Sequence, residues 1–288
     1  MRFRQKTPKT LLSDFLTMKP LEMSIKERIK KYTNLFRNIR NPDEYILRRG
    51  QRYRRPLQFV TKPRAVKVTV PYGLYPTFKE IFMLDFYGIR RLAASLPPNP
   101  VVIDVGANAG YFETLLFAKL GKARVLAFEP LPVNFKLLKQ NVEQNPALKE
   151  HVKIYEMAVV GTDRDHITFY TERDGQHSVI ASIYDNFDNA NTVAVTLPCM
   201  SLQRAVEENG FDTVDLLKMD CEGSEYEILY NTPDAVLRKI KAMIVEVHDM
   251  ETPENNITAL DSYLRGKGFA TNQHRTDVRN HYLYAYRP

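Results

Sequence analysis

The ten residues VVIDVGANAG, 101 to 110, constrain this chain more than any other stretch. A β-branched apolar run ending in an acid and two glycines four positions apart reads as a buried strand, a tight turn and the start of a helix. The small residues let the backbone come close to a ligand, with amides of the next helix's first turn facing it. Further apolar runs follow at 123–128, 152–160, 214–219 and 242–247, separated by stretches of helical period such as Phe135, Leu138 and Val142. Alternation of this kind specifies an α/β fold with a mostly parallel sheet, and right-handed crossovers place helices on both faces. Ligands then belong beyond the carboxyl ends of the strands near a switch point, where Gly106 and Gly110 fall. The tail predicts a helix through Asp261 to Arg265, a Gly266-Lys267-Gly268 turn, and two last strands in FATNQH and YLYAYRP. The second of these is expected to return antiparallel beside the fifth strand, making seven in all.

Charge divides the chain. Residues 1–70 hold 19 Lys/Arg against 5 Asp/Glu, whereas residues 71–288 hold 22 against 29. A basic N-terminal extension over 1–70 and a main domain over 71–288 are therefore expected. Ser24 and Glu27 have capping-box spacing, and Ile25, Ile29, Tyr32, Phe36 and Ile39 recur every three or four residues, predicting one amphipathic helix up to Asn41-Pro42. Its apolar stripe should dock on the main domain with Lys and Arg in water; the alternative is an arm for nucleic acid or an anionic membrane surface. No RNA-recognition, zinc-finger or helix-turn-helix signature accompanies it. Two cysteines are too few for a disulfide framework or zinc cluster. No apolar run nears the roughly 18 residues of a membrane span, so a cytoplasmic protein is expected.

The turn itself selects among nucleotide-like ligands. A dinucleotide site calls for G-x-G-x-x-G, and Gly106-Ala107-Asn108-Ala109-Gly110 lacks the glycine three positions before the last. An acid on the first strand, Asp104, and another closing the second, Glu129, suit a ligand with a cationic centre and a ribose whose hydroxyls both donate. S-adenosylmethionine has both features. With DVGANAGYFETLL, the stretches AFEPLPVNFKLLKQNV, AVVGTDR and VDLLKMDCEGSEYEIL make residues 78 to 270 similar to the FkbM-type S-adenosylmethionine-dependent methyltransferases. That resemblance implies a Rossmann-like class I methyltransferase fold. Carried over by position, it implies a cofactor site at Asp104, Gly106, Asn108 and Gly110, with Glu129 on the ribose and Ala158 and Val159 beside the adenine. Residues 1–70 have no counterpart in the family pattern, and Cys221 stands where a small aliphatic residue is usual.

The resemblance also implies methyl transfer to a hydroxyl of a sugar, glycan or other small natural-product scaffold. Such a hydroxyl must lose its proton as it attacks, so a base is expected at the rim. Asp220, Glu222 and Glu225 follow the fourth strand; Glu246, His248 and Asp249 close the fifth. Asp220 and Glu222 lead, His248 is third, and Glu225 reads as a helix-start acid. The alternative use of the rim is a magnesium site built from Asp220, Glu246 and His248. Residues 161–213, with HITFYTE and TVAVTLP alternating like strands, form the expected substrate-side insertion. The aromatics of YPTFKEIFMLDFYGI are expected in the core rather than in a lid. Two other readings remain open: an RNA methyltransferase recruited by the basic arm, and a non-catalytic adapter on the same fold.

Overall fold

The computed structural model describes residues 25–48, 55–172, 181–183, 191–250, 252–275 and 280–288. Ser24 of the expected capping box, the first part of the basic extension and most of the polar stretch at 173–190 lie outside these residues. Helices α1 (Ile25–Asn38) and α2 (Asp43–Arg48) lead into an antiparallel hairpin of β1 (Leu57–Val60) and β2 (Lys67–Val70). α3 (Tyr75–Lys79) runs into a π-helical turn over Glu80–Leu84, and α4 (Ile89–Ser95) follows. The alternating part comprises β3 (Val101–Val105), α5 (Tyr111–Leu120), β4 (Arg124–Phe128), α6 (Pro132–Glu143), α7 (Pro146–His151) and β5 (Val152–Tyr155). Next come β6 (Ala158–Val160), β7 (His166–Glu172), β8 (Ala181–Ser182) and β9 (Asn191–Ser201). The chain ends with α8 (Leu202–Glu208), β10 (Leu216–Met219), α9 (Glu225–Asn231), α10 (Asp234–Leu237), β11 (Ala242–His248), α11 (Ile257–Gly266), β12 (Ala270–Arg275) and β13 (Asn280–Tyr286).

Seven strands form the main sheet in the order β12-β13-β11-β10-β3-β4-β5. All neighbours are parallel except β13, which runs antiparallel to both β11 and β12. This is the Rossmann-like class I arrangement, and its chain order reverses between β3 and β10, so the switch point lies at the end of β3. The apolar run 152–160 is split: β5 stays in the main sheet, whereas β6 pairs with β9 in a second, four-stranded sheet of order β6-β9-β7-β8. HITFYTE and TVAVTLP thus became strands as expected. No helix among the described residues is long and apolar enough to cross a membrane.

The basic segment is built into the core. Leu57, Phe59, Val68 and Val70 are fully buried in the same cluster as Val102, Leu116 and Leu138. Asn141 and Asn145 of α6 and its C-terminal turn accept the Thr69 and Lys67 amides at 2.8 Å, which satisfies β2's outer edge. The charge boundary at residue 70 therefore does not coincide with a packing boundary, and among the described residues the region holds two helices and a hairpin where one helix was expected. On α1 Asn34, Leu35 and Asn38 are buried, as is Ile39 just past its end, while Ile25, Ile29 and Phe36 of the expected docking stripe stand 75%, 61% and 49% exposed. The reason is polar: Asn34 and Asn38 donate to the Met83 and Phe82 carbonyls at 3.0 and 2.8 Å, where the π-helical turn ends and its last carbonyls need partners. Those bonds fix which face of α1 turns inward.

Candidate active site

Both glycines of the turn after β3 are answered by protein. Gly106 has φ +81°, and a Cβ on it would lie 1.8 Å from the Asp220 carbonyl oxygen. Gly110, at φ +76°, would place one 2.8 Å from the Leu138 side chain. The expectation that these residues clear space for a ligand is therefore corrected in part: Gly106 lets β3 and β10 end side by side, and Gly110 seats α5 against α6. Asn108 carries the third positive φ of this turn, which Asn tolerates better than most residues.

Around the turn lies a buried ionic network. Lys218 stands opposite Asp104 in the β10–β3 register, and its ammonium sits 3.0 Å from the Asp104 carboxylate and 2.8 Å from the Gly106 carbonyl. Burial alone would lower the Lys218 pKa, but the carboxylates of Asp104 and Asp220 outweigh it and hold the ammonium charged. Glu113 of α5 is pushed well above its usual range by burial and by Asp104 beside it. Asp104 is thus fully buried and ion-paired with Lys218. Lys218 hides in the sequence as one polar residue inside the apolar run LLKM.

At the end of β4, Glu129 accepts the Asn108 amide at 2.8 Å and the Leu131 amide at 2.9 Å. Burial pushes its pKa up to about 7, against those two bonds. The Asn108 side-chain oxygen is buried and has no hydrogen-bond partner. An acid poised to ionise and an orphaned acceptor beside the switch-point turn are groups that hydroxyl and ammonium donors of a ligand would satisfy. Ala158 and Val159 are buried on β6, just past the end of β5.

The rim between β10 and β11 gathers the acids. Asp220 accepts a 2.6 Å hydrogen bond from the Tyr87 hydroxyl, which also lies 3.4 Å from Glu246. Tyr282, the register partner of Glu246 across β13, donates to it at 3.0 Å. Burial, then Asp220, pushes Glu246 up to about 8. His248 lies between two carboxylates: Nδ1 is 2.6 Å from Glu225 and Nε2 is 3.3 Å from Glu222. Burial would lower its pKa, yet Glu225, Glu222 and Glu246 raise it well above the usual value. Glu222 has φ 51° in the turn after β10, and Ser182 of β8 donates to its carbonyl at 2.6 Å, joining the second sheet to this rim.

Asp220, Glu222 and His248 are therefore brought together. Glu225 does begin a helix, but its buried carboxylate also orients the His248 ring, a role the helix-start reading missed. Tyr87 and Tyr282 were missed as well, since only the fold brings residues so distant in sequence to one carboxylate pair. Phe78 and Phe82 of the same aromatic stretch are fully buried, as expected of core. Ligand atoms of Asp220, Glu246 and His248 all lie within 4.8 Å of one another, so a cation could be held there.

A family model, the methyltransferase FkbM domain, matches residues 104–271. The chain belongs to the FkbM methyltransferase family. Among curated relatives, the 31-O-demethyl-FK506 methyltransferase FkbM of Streptomyces tacrolimicus is 30% identical over 217 residues, 67% of this chain and 80% of that protein. The AMB antimetabolite synthetase AmbE of Pseudomonas aeruginosa is 29% identical over 222 residues, but the match spans only 10% of AmbE. The hexuronic acid methyltransferase AglP of Haloferax volcanii is 26% identical over 167 residues, 58% of this chain and 64% of AglP. As an FkbM-family protein the chain is an S-adenosylmethionine-dependent methyltransferase. Among the expected cofactor residues, Glu129 and the unpartnered Asn108 oxygen present groups that donors of such a ligand would satisfy.

Proposed function

We propose that this enzyme methylates a hydroxyl group on a sugar, glycan or other small natural-product scaffold, with His248 as general base. The names of two relatives support an oxygen acceptor and a sugar acid among the family's substrates. The observation that carries the proposal is the chain Glu225, His248, Glu222 at the rim beside the switch point. S-adenosylmethionine supplies an electrophilic methyl group on a positively charged sulfur.

The remaining chemistry falls to the protein's own residues. Glu225, fully buried, holds Nδ1 and so aims Nε2 toward Glu222, the more exposed of the two carboxylates. An acceptor hydroxyl in the place of Glu222 would give its proton to Nε2, and the carboxylates on either side would stabilise the imidazolium that forms. The sulfonium charge of bound S-adenosylmethionine would lower the His248 pKa if it came near, because like charge disfavours the protonated ring. Asp220 and Glu246, each tied to a tyrosine hydroxyl, shape the rim.

The test is transfer of a labelled methyl group to a panel of hydroxylated small molecules and to RNA, with wild type, His248→Asn, Glu222→Gln and Asp220→Asn. Label on an acceptor oxygen, lost by roughly 10²-fold or more in His248→Asn with cofactor affinity kept, is the expected result. Label on RNA alone, or full turnover in His248→Asn, would overturn it. Dependence on added magnesium, abolished by a chelator, would move the role to a metal on Asp220, Glu246 and His248.

A further inference from the structure

The outer face of α1 is apolar, exposed and framed by positive charge. At about 100° per residue, Ile25, Ile29, Tyr32 and Phe36 share one narrow stripe; Lys26, Lys30 and Arg37 border it on one side and Arg28 on the other. Together with Arg28 and Thr33, the stripe lines an open groove of about 660 Å³. The helix cannot roll to hide it, because Leu35 and Ile39 are buried beneath and Asn34 and Asn38 are bonded to the π-helical turn. Lys119 adds a 2.7 Å hydrogen bond to the Asn38 side chain, fixing the same orientation.

We infer that this face docks on an anionic lipid surface. An apolar stripe flanked by cations is the arrangement that buries its hydrocarbon at the headgroup boundary while the ammonium and guanidinium groups meet lipid phosphates. Charge argues against the neighbouring chain as its cover: residues 1–24 carry five Lys/Arg and two Asp/Glu, the same sign as α1. Those residues would reinforce binding to an anionic surface instead of shielding the stripe from it. A nucleic acid would use the cations, but it offers nothing to two isoleucines at the centre of the face. The inference is independent of the acceptor and of the catalytic base.

The experiment is co-sedimentation of the full chain with vesicles of phosphatidylcholine alone and of phosphatidylcholine with about a third phosphatidylserine, at low and physiological salt. Wild type should bind the anionic vesicles, more weakly as salt rises, and leave the neutral ones. Ile29→Asp with Phe36→Asp should lower that binding at least about tenfold, and Lys26→Glu with Lys30→Glu by a similar factor. Both pairs should retain the wild-type melting temperature and cofactor affinity, since the altered side chains face outward. No sedimentation with anionic vesicles at low salt would overturn the inference. So would vesicle binding unchanged in Ile29→Asp/Phe36→Asp, a stripe that closes a stable dimer in place of binding lipid, or RNA binding without lipid binding.

Discussion

Replacing Gly106 by alanine distinguishes a glycine required by the fold from one required by a ligand. The new methyl group would lie 1.8 Å from the Asp220 carbonyl oxygen, whereas real Cβ contacts essentially never fall under 3.0 Å. The ends of β3 and β10 must then part by at least about 1.2 Å, the difference between those distances. Two bonds bracket the contact: the Asp220 amide to the Val105 carbonyl at 3.0 Å and Lys218 to the Gly106 carbonyl at 2.8 Å. Strain at φ +81° adds roughly 1–2 kcal/mol, and weakening those bonds adds about 1 kcal/mol for the neutral one and 1.5–3 for the charged one. A loss of about 3.5–6 kcal/mol follows. At about 2–4 °C per kcal/mol for a chain of this size, the melting temperature should fall by about 10 °C without any cofactor present. Scanning calorimetry of the ligand-free protein measures it. An alanine variant that melts within about 2 °C of wild type while losing S-adenosylmethionine affinity would refute the strand-contact argument and return the glycine to the ligand.

Three further outcomes are expected. Glu129, raised to about 7 by burial, should ionise when ribose hydroxyls donate to it, so cofactor binding releases a proton near pH 6 and tightens as pH rises from 6 to 8. Titration calorimetry in buffers of different ionisation enthalpy checks this, and Glu129→Gln should abolish the proton release. Because carboxylates raise the His248 pKa and a base must be neutral, Glu222→Gln should shift the acid limb of the kcat–pH profile to lower pH; an unmoved limb removes His248 from the role. Lys218→Met should cost about 3–5 kcal/mol by stranding Asp104, and Asp104→Asn in the same chain should recover part of that; strictly additive urea-unfolding energies would show the pair uncoupled.

The sheet was legible because its strands are apolar runs of the right length and its turns carry glycines. The 152–160 run misled where Glu156 and Met157 interrupt it, since a bend there moves Ala158–Val160 to another sheet. The β1–β2 hairpin escaped notice because its short strands lie among arginines and lysines that set the composition of the segment but not its packing. On α1 the apolar period is present, but Ile25, Ile29 and Phe36 of the stripe stay exposed while Ile39 is buried: two asparagines, polar residues that a hydrophobic pattern passes over, decide the inward face. The acids after β10 and β11 were visible as rim candidates from strand order alone. What they do to one another was not, because the partners that fix them, Glu225 on Nδ1 and the hydroxyls of Tyr87 and Tyr282, meet them only after folding.

Tyr87 and Tyr282 both lie outside the segment, 104–271, that matches the family domain. The domain as a unit of descent therefore contains Asp220 and Glu246 but neither hydroxyl that holds them. One tyrosine arrives on the segment that α1 clasps, the other on the last strand. A fragment trimmed to the family boundaries would keep every acid of the rim and lose what restrains Asp220 and Glu246. Relatives that share the acids are free to restrain them differently, so the borders of this domain, rather than its centre, are where one family member's rim can come to differ from another's.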